Sequence, residues 1–394
     1  MASHPRYAPN YEIQINDQDV PQALRSSITS VRFEEGWDAS NRVEIGIANA
    51  DLRWLQAHIR GLGFQPFPTG IQVGPLPGPQ VTPSGLFDIQ NKVTLSIGYA
   101  PDPLTPVFTG EITGVEANFP NSGVPTMTIV AHDYLNRLMT GAYARGFGLL
   151  PDFVIAMLLS AENLLIPLID PTVVGASTAL AVLNVLFSGT GRKQKGQTDL
   201  ELLQEIAATY DADFWVDGST LYLSRFMKSY SPSVTLAWGS SLLDFSPRVS
   251  LLGQVVGFSM KFVLREIPLN FLVTAYWDFD NERLGFNIVP GAIAGEVKSL
   301  IGPVIEIIDQ PVANPADMVN SAFVIIRELR NKLNNRLTAS GSAIGDPTIR
   351  AGTVVRFEGL GPDFSGDYRV ASATHSLDSG GYRTNFQVRK EIIP

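Results

Sequence analysis

The chain has 394 residues, 45% apolar and 17% charged, with 29 Lys and Arg against 38 Asp and Glu and a net charge of −9. That length calls for roughly two to four domains. The acidic balance marks no basic footprint for nucleic acid and suits a passage that must not hold DNA by its phosphates. The absence of cysteine excludes disulfides and thiolate metal sites. The opening MASHPRYAPNYEIQIND lacks the apolar core of an export signal.

The first part of the chain reads as antiparallel β. Tyr11, Ile13 and Ile15 alternate with Glu12, Gln14 and Asn16, and Val43, Ile45 and Ile47 with Arg42, Glu44 and Gly46. Val93, Leu95, Ile97 and Tyr99 alternate with Lys92, Thr94, Ser96 and Gly98. A period of two places one face on a core. DLRWLQAHI (51–59) breaks it and predicts one or two helical turns, and the Gly- and Pro-rich stretch 61–86 predicts a long irregular loop between strands, of the length that is functional or contacts a partner.

The character changes over 142–235, which reads as a small α+β domain. PDFVIAMLLSAENLL predicts a helix buried on most sides. Thr198 and Glu201 form a capping box ahead of a helix whose inner face is Leu203, Ile206, Ala207 and Tyr210. FWVDGSTLYLS predicts a hairpin turning at Asp217-Gly218. Between the two helices lies an apolar insert (164–196). Its stretch Pro171–Gly189 carries no charge but is barely long enough for a bilayer and holds Pro, Gly and Asn. The expectation is burial against protein, facing a neighbouring copy or a central axis in an assembly, with no stable membrane insertion. The insert ends in SGTGRKQKGQ, read as an exposed basic loop (188–196).

From Leu236 the β pattern returns. GQVVGFSMKFV, FLVTAYWDF and LGFNIVPG are strand candidates. A long helix over 315–339 follows, with Asn314 as cap, Pro315 first and Ser340-Gly341 as the stop. Its expected core face is Val319, Ala322, Ile326, Leu329, Leu333 and Leu337. Three strands close the chain, the last alternating through Tyr382, Thr384, Phe386 and Val388 after the turn 378–381. There is no exact sequence repeat, yet two β units flank a helical one, the outline of a duplication.

Catalytic signals are weak throughout. None of His4, His58, His132 and His375 has a second His at i+3 or i+4, so no helical zinc pair exists, and His132 and His375 read as hydrogen-bonded strand histidines. No G-x-S-x-G elbow occurs. Gly189–Gly196 lacks the Gly-Lys-Ser/Thr ending of a phosphate loop, and the acidic run Asp278, Asp280, Glu282 has Arg283 where a calcium loop needs glycine.

Five segments occur in a set order. They are FTGEITGVE (108–116), DYLNRLMTG (133–141), TDLELLQEIAATYDADFWVDGSTLYL (198–223), WGSSLLDFSPRVS (238–250) and IRAGTVVRFEGLGPDFSGDYRVASATHSLDSGGY (349–382). In this order they resemble the phage late control gene D family and the hub portion of VgrG proteins, over nearly the whole chain. Two departures stand out: the family's helical domain usually lacks an insert like 164–196, and VgrG chains continue into a spike where this sequence stops at Pro394.

The resemblance implies an α+β, β-dominated fold of two tube-type β-barrels (1–141 and 236–394) joined by the small α+β domain (142–235), with the long helix in the second barrel unit. It implies a structural baseplate hub of a contractile tail or injection system, assembled as a homotrimer. The expected partners are a spike on a separate chain, a hexameric inner tube or tube-initiator protein, and baseplate wedge proteins. The expected location is the virion tail baseplate, assembled in the host cytoplasm, or a cytoplasmic particle if the machine is a phage-like injection system. It implies no enzyme and no catalytic, cofactor-binding or metal residue. The alternatives are a tail-associated peptidoglycan hydrolase and a β-rich receptor- or glycan-binding module.

Overall fold

The computed structural model describes residues 8–37, 39–49, 54, 85–188, 191–224, 230–249, 257–263, 270–278, 281, 283–290, 305–312 and 315–392. The helix expected at 51–59 and nearly all of the loop 61–86 lie outside them. The first unit contains β1 (Ala8–Ile15), β2 (Gln18–Asp19), the single turn α1 (Gln22–Arg25), β3 (Ile28–Gly36), β4 (Arg42–Ala48), β5 (Lys92–Ala100), β6 (Thr105–Asn118) and β7 (Thr126–Asp133). The alternating residues turn inward as read: Ile13, Ile15, Val43, Ile45, Ile47, Val93, Leu95 and Ile97 share one core, into which Leu24 of α1 also packs.

A 3-10 turn (Tyr134–Met139) leads to β8 (Tyr143–Gly146), α2 (Asp152–Glu162), β9 (Ile166–Ile169), α3 (Pro171–Leu183) with a π-turn at its end (Asn184–Ser188), β10 (Lys193–Gln197), α4 (Asp199–Thr209), β11 (Asp213–Asp217) and β12 (Thr220–Ser224). The capping box forms: Thr198 Oγ1 accepts from Glu201 N at 3.1 Å, and Glu201 accepts from Thr198 N at 2.7 Å. Leu203, Ile206, Ala207 and Tyr210 are buried as expected. The hairpin turns at Asp217-Gly218, with Gly218 at φ +54.

Two readings of this part are corrected. The helix α2 is buried on one side only, since Met157 and Leu158 are exposed. The basic segment 188–196 is in part strand β10, paired with β8, because Gln194 turns into the core between exposed Lys193 and Lys195.

The last part contains β13 (Pro232–Ala237), β14 (Leu242–Val249), β15 (Gly257–Val263), β16 (Asn270–Asp278), β17 (Arg283–Pro290), β18 (Ile305–Val312), the long helix Pro315–Asn334, β19 (Leu337–Ile344), β20 (Val354–Glu358), a short helix (Gly361–Phe364), β21 (Gly366–Asp378) and β22 (Gly381–Arg389). The helix expected over 315–339 ends at Asn334. Residues 337–344 are a central strand, hydrogen-bonded to β14 on one edge and β22 on the other, and two ladders outweigh local propensity. Among the described side chains the helix buries Ile325, Leu329 and Leu333, with Ile325 in place of the expected Ile326, while the expected cap Asn314 and the side chains of Val319 and Ala322 lie outside them. Gly341 does not stop a helix; it sits in β19 where a Cβ would meet Asp244 O at 2.6 Å and the Phe386 ring at 2.9 Å.

Two six-stranded sets share one strand order. Ranked by position in the chain, the sheet neighbours are 1-4-5-6-3-2 both in β1-β5-β6-β7-β4-β3 and in β13-β20-β21-β22-β19-β14. The register repeats as well. The row Gly114, Val130, Glu44, Arg32 across the first set corresponds to Ser372, Gln387, Ser340, Ser246 across the second. The fifth strand is bulged at Ile112/Gly114 and at Val370/Ser372, and the second strand at Ile28/Ser30 and at Leu242/Asp244, in matching positions. One difference is the first strand, antiparallel to its neighbour in β1 and parallel in β13. The second set also carries an insertion between its second and third strands: the four-stranded sheet β17-β16-β15-β18 with the long helix.

Core volume explains why no sequence repeat is visible. The inward pair Ile45 and Ile129 of the first set becomes Gly341 and Phe386 in the second, the bulk moved across the strands to keep the layer filled. Among the described residues no ladder joins β1 to β3 to close the first set. Instead β3 pairs with β21, so that a single 13-stranded sheet runs through both sets.

Candidate assembly surfaces

The junction of the two sets is built around buried polar groups. Phe33, on β3, stacks on His375 of β21 at 5.7 Å and 17°, and packs edge-on to Phe108 at 5.9 Å. The His375 imidazole is fully buried; its Nε2 lies 3.1 Å from Ile349 O, and its Nδ1 2.8 Å from Tyr382 Oη and 3.1 Å from Thr384 Oγ1. Burial, helped by the Arg350 charge, pushes its pKa down to about 3. It is therefore a neutral ring that donates through Nε2 to a carbonyl and accepts at Nδ1, with no lone pair left for a metal or a proton-transfer role.

Beside it the Glu35 carboxylate is buried, accepting from Arg350 Nε at 2.6 Å and from Ala351 N at 2.8 Å. Burial raises its pKa, and the Arg350 guanidinium opposes that rise. A cleft of about 540 Å³ opens here, lined among others by Glu35, Trp37, Phe108, Trp215, Arg350 and Val354. Glu35 is already bound on two sides, and Asp217 also lines the cleft.

The middle domain uses its charges internally. Arg192 grips Asp152 with two bonds of 2.6 Å, and Tyr210 Oη donates to the same carboxylate at 2.8 Å. Burial and the neighbouring Asp152 charge push the tyrosine hydroxyl well above its usual range. So Arg192, expected in an exposed basic loop, is a structural cation that holds the start of β10 against α2.

The remaining signals do not converge. His132 Nδ1 lies 2.6 Å from Thr113 Oγ1 on the neighbouring strand. Asp278 binds Asn281 and lies 3.7 Å from Arg283, while Asp280, Glu282, His4 and His58 lie outside the described residues. Among the described residues no three His, Asp or Glu side chains stand close enough to hold a metal ion.

The exposed surface is distinctive at the insert. Leu164 is 77% exposed, and Ile166, Leu168, Val182, Val185 and Leu186 are also exposed. They lie on β9 and at the end of α3, with Leu149, Leu150, Met157 and Leu158 nearby in sequence. The alternation of β9 turns Ile166 and Leu168 away from the core, on the sheet face where Trp215 and Tyr222 stack at 5.0 Å. No helix of the described residues is long and apolar enough to cross a membrane. Among the described residues this apolar surface is thus uncovered.

The buried Glu35–Arg350 pair left no local trace in the sequence, because its partners lie 315 positions apart. One available signal was the run Val31, Phe33, Glu35, which puts an acid at an inward position of an alternating strand.

No protein-family model matches the sequence, and no curated protein matches it. Solved structures do. The 43 kDa tail protein of prophage MuSo2 from Shewanella oneidensis superposes with a TM-score of 0.58 at 14% identity, over 97% of this chain and 98% of that one. A tail protein from Neisseria meningitidis MC58 gives 0.58 at 9% identity, over 98% and 97%. The similarity spans both β sets and the domain between them, and this chain has the β-dominated fold of those tail proteins.

Proposed function

We propose that the chain is a structural subunit of a contractile tail or phage-like injection machine. It serves as a hub at the end of the inner tube. Three copies form a ring, and two similar β units per copy give six tube-like units around the axis. A threefold spike then meets a sixfold tube through one subunit type, and the ring seeds tube assembly. Each unit is read as a tube-type β-barrel, one in 1–141 and one in 236–394, with 142–235 between them. The partners are the spike, the tube or its initiator, and the surrounding wedge proteins, in the tail baseplate of a virion or an equivalent particle.

The observation that carries this reading is the repeat of strand order, register and bulge positions between two units of different sequence. A chain that served as a monomeric hydrolase or receptor module would have no need to present the same six-stranded surface twice. The tail-protein fold supports the same reading. The test is the number of copies around the axis of the intact particle, counted by electron cryo-microscopy. Three is expected; six or one refutes the adaptor.

A further inference from the structure

Within one chain the outer edge of β3 is covered. It runs antiparallel to the later half of β21, in the register Glu35–Ala373, Glu34–Thr374, Phe33–His375, Arg32–Ser376 and Val31–Leu377. The repeat identifies the equivalent edges. β14 stands in the second unit where β3 stands in the first, and the later half of β6 stands where the later half of β21 does. Among the described residues no strand pairs with the outer edge of β14, or with the outer edge of β6 beyond Ile112. The sheet path runs from β14 through β19-β22-β21-β3-β4-β7 to β6, and only the earlier half of β6 carries it on to β5, β1 and β2.

We propose that β14 of one copy adds, antiparallel, to the later half of β6 in the next copy, repeating between chains the β3–β21 pairing made within each. Carrying the register across places Val249 opposite Val115, Arg248 opposite Glu116, Pro247 opposite Ala117, Ser246 opposite Asn118, and Phe245 opposite Phe119. The inference rests on the ring of copies proposed above and adds its contact.

Three features of the two edges fit. Arg248 and Glu116 are both exposed, carry opposite charge, and make no ion pair with another described residue. A cross-strand pair of opposite charge is favourable, whereas like charges directly opposite are not. The apolar positions also coincide: Val249 is 49% exposed and Phe119 61%, and each would face an apolar partner. Finally, Ile344 N donates to Ser241 O at 3.0 Å, and the bulge at Leu242/Asp244 shifts the alternation by one residue from there, so Asp244, Ser246 and Arg248 face β19. Phe245, Pro247 and Val249 thus direct their backbone groups to the outer edge. Pro247 has no N–H to give, so one bond of the new ladder is missing. A proline at that place also discourages indiscriminate pairing of the free edge before assembly. The two surfaces differ, so the contact is head-to-tail and closes a ring when the rotation allows.

The chain has no cysteine, which makes cross-linking clean. Tail particles would be assembled from the full chain carrying Glu116→Cys with Arg248→Cys, under reductant, and then oxidised. In this register the pair is a non-hydrogen-bonded one, with Cα atoms about 4.5 Å apart, within disulfide reach. A covalent oligomer ending at the ring's copy number is expected on a non-reducing gel. Each single variant, and the offset pair Glu116→Cys with Ser246→Cys, should run as monomer. Particles that contain the double variant but show no cross-link, or a stronger cross-link from the offset pair, overturn the pairing. The two readings fail separately. A cross-linked ladder ending at two or six refutes the three-copy hub and keeps the contact, and three copies without the cross-link refutes the contact alone. If the double-cysteine chain does not enter particles, charge reversal decides. Arg248→Glu and Glu116→Arg should each lower incorporation about two- to fivefold, and together restore it. Failure of the combined variant to recover overturns the proposal.

Discussion

Replacing His375 by leucine tests the junction between the two β units. The imidazole is fully buried between Phe33, Tyr382 and Thr384, and its pKa is pushed down to about 3 by burial. Leucine keeps most of the volume but takes the donor from Ile349 C=O and the acceptor His375 Nδ1 from Tyr382 Oη; Thr384 Oγ1 keeps its bond from Asp346 N at 3.1 Å. Orphaning the buried Ile349 C=O costs about 1–3 kcal/mol and the lost bond to Tyr382 about 1 kcal/mol more, so a loss of about 2–4 kcal/mol is expected at pH 7. The cost should depend on pH with a fixed sign. The folded pKa lies below the unfolded 6.5, so the histidine's contribution is whole above about 6.5 and is lost as pH falls toward 3. Between pH 6.5 and 5 the wild type therefore gives up about 2 kcal/mol of its advantage, at about 1.4 kcal/mol per pH unit. Urea unfolding of both proteins, followed by circular dichroism at pH 7 and pH 5, measures the difference. A gap that is the same at both pH values, or wider at pH 5, would refute a neutral imidazole buried at this junction.

Two further substitutions follow from the same units. Asp133 is buried, caps the 3-10 turn through Leu135 N at 3.2 Å, and has its pKa raised by burial to about 6. Its contribution is thus present below 3.8 and lost as pH rises through about 6, so Asp133→Asn should lose ground to the wild type on acidification from pH 6 to pH 4, by about 2 kcal/mol, the opposite tilt to His375→Leu. The same urea titrations check it, and parallel tilts would contradict the assignment. Gly110, in the FTGE segment, has no room for a side chain, because a Cβ would collide with the His132 carbonyl and the Phe108 ring. Gly110→Ala should cost about 1–3 kcal/mol or more through forced strand separation, read as a lowered Tm, and an unchanged Tm would show that the β6–β7 spacing is not set there.

Much of the local structure was legible in the chain. Period-two alternation located β1, β4, β5 and β22, since a half-buried strand must alternate whatever it pairs with. Thr198 with Glu201 located the start of α4, and Asp217-Gly218 the hairpin, because caps and tight turns are satisfied within a few residues. The long helix was found but overrun: 337–344 has no strong local preference, and only its two neighbours, β14 and β22, decide that it is a strand. For the same reason the basic stretch reads as an exposed loop, since Asp152, which holds Arg192, lies 40 positions away.

What the sequence by itself determined is the kind and rough order of the elements and the absence of a local catalytic motif. Those are properties of near neighbours along the chain. The repeat of register, the joining of β3 to β21, and the burial of Glu35 and His375 at that seam were decided only by the tertiary structure. A β ladder is specified by the fit of two distant edges and the volume between them. Ile45 with Ile129 and Gly341 with Phe386 fill that volume equally well, so the two units share a geometry that their sequences do not display.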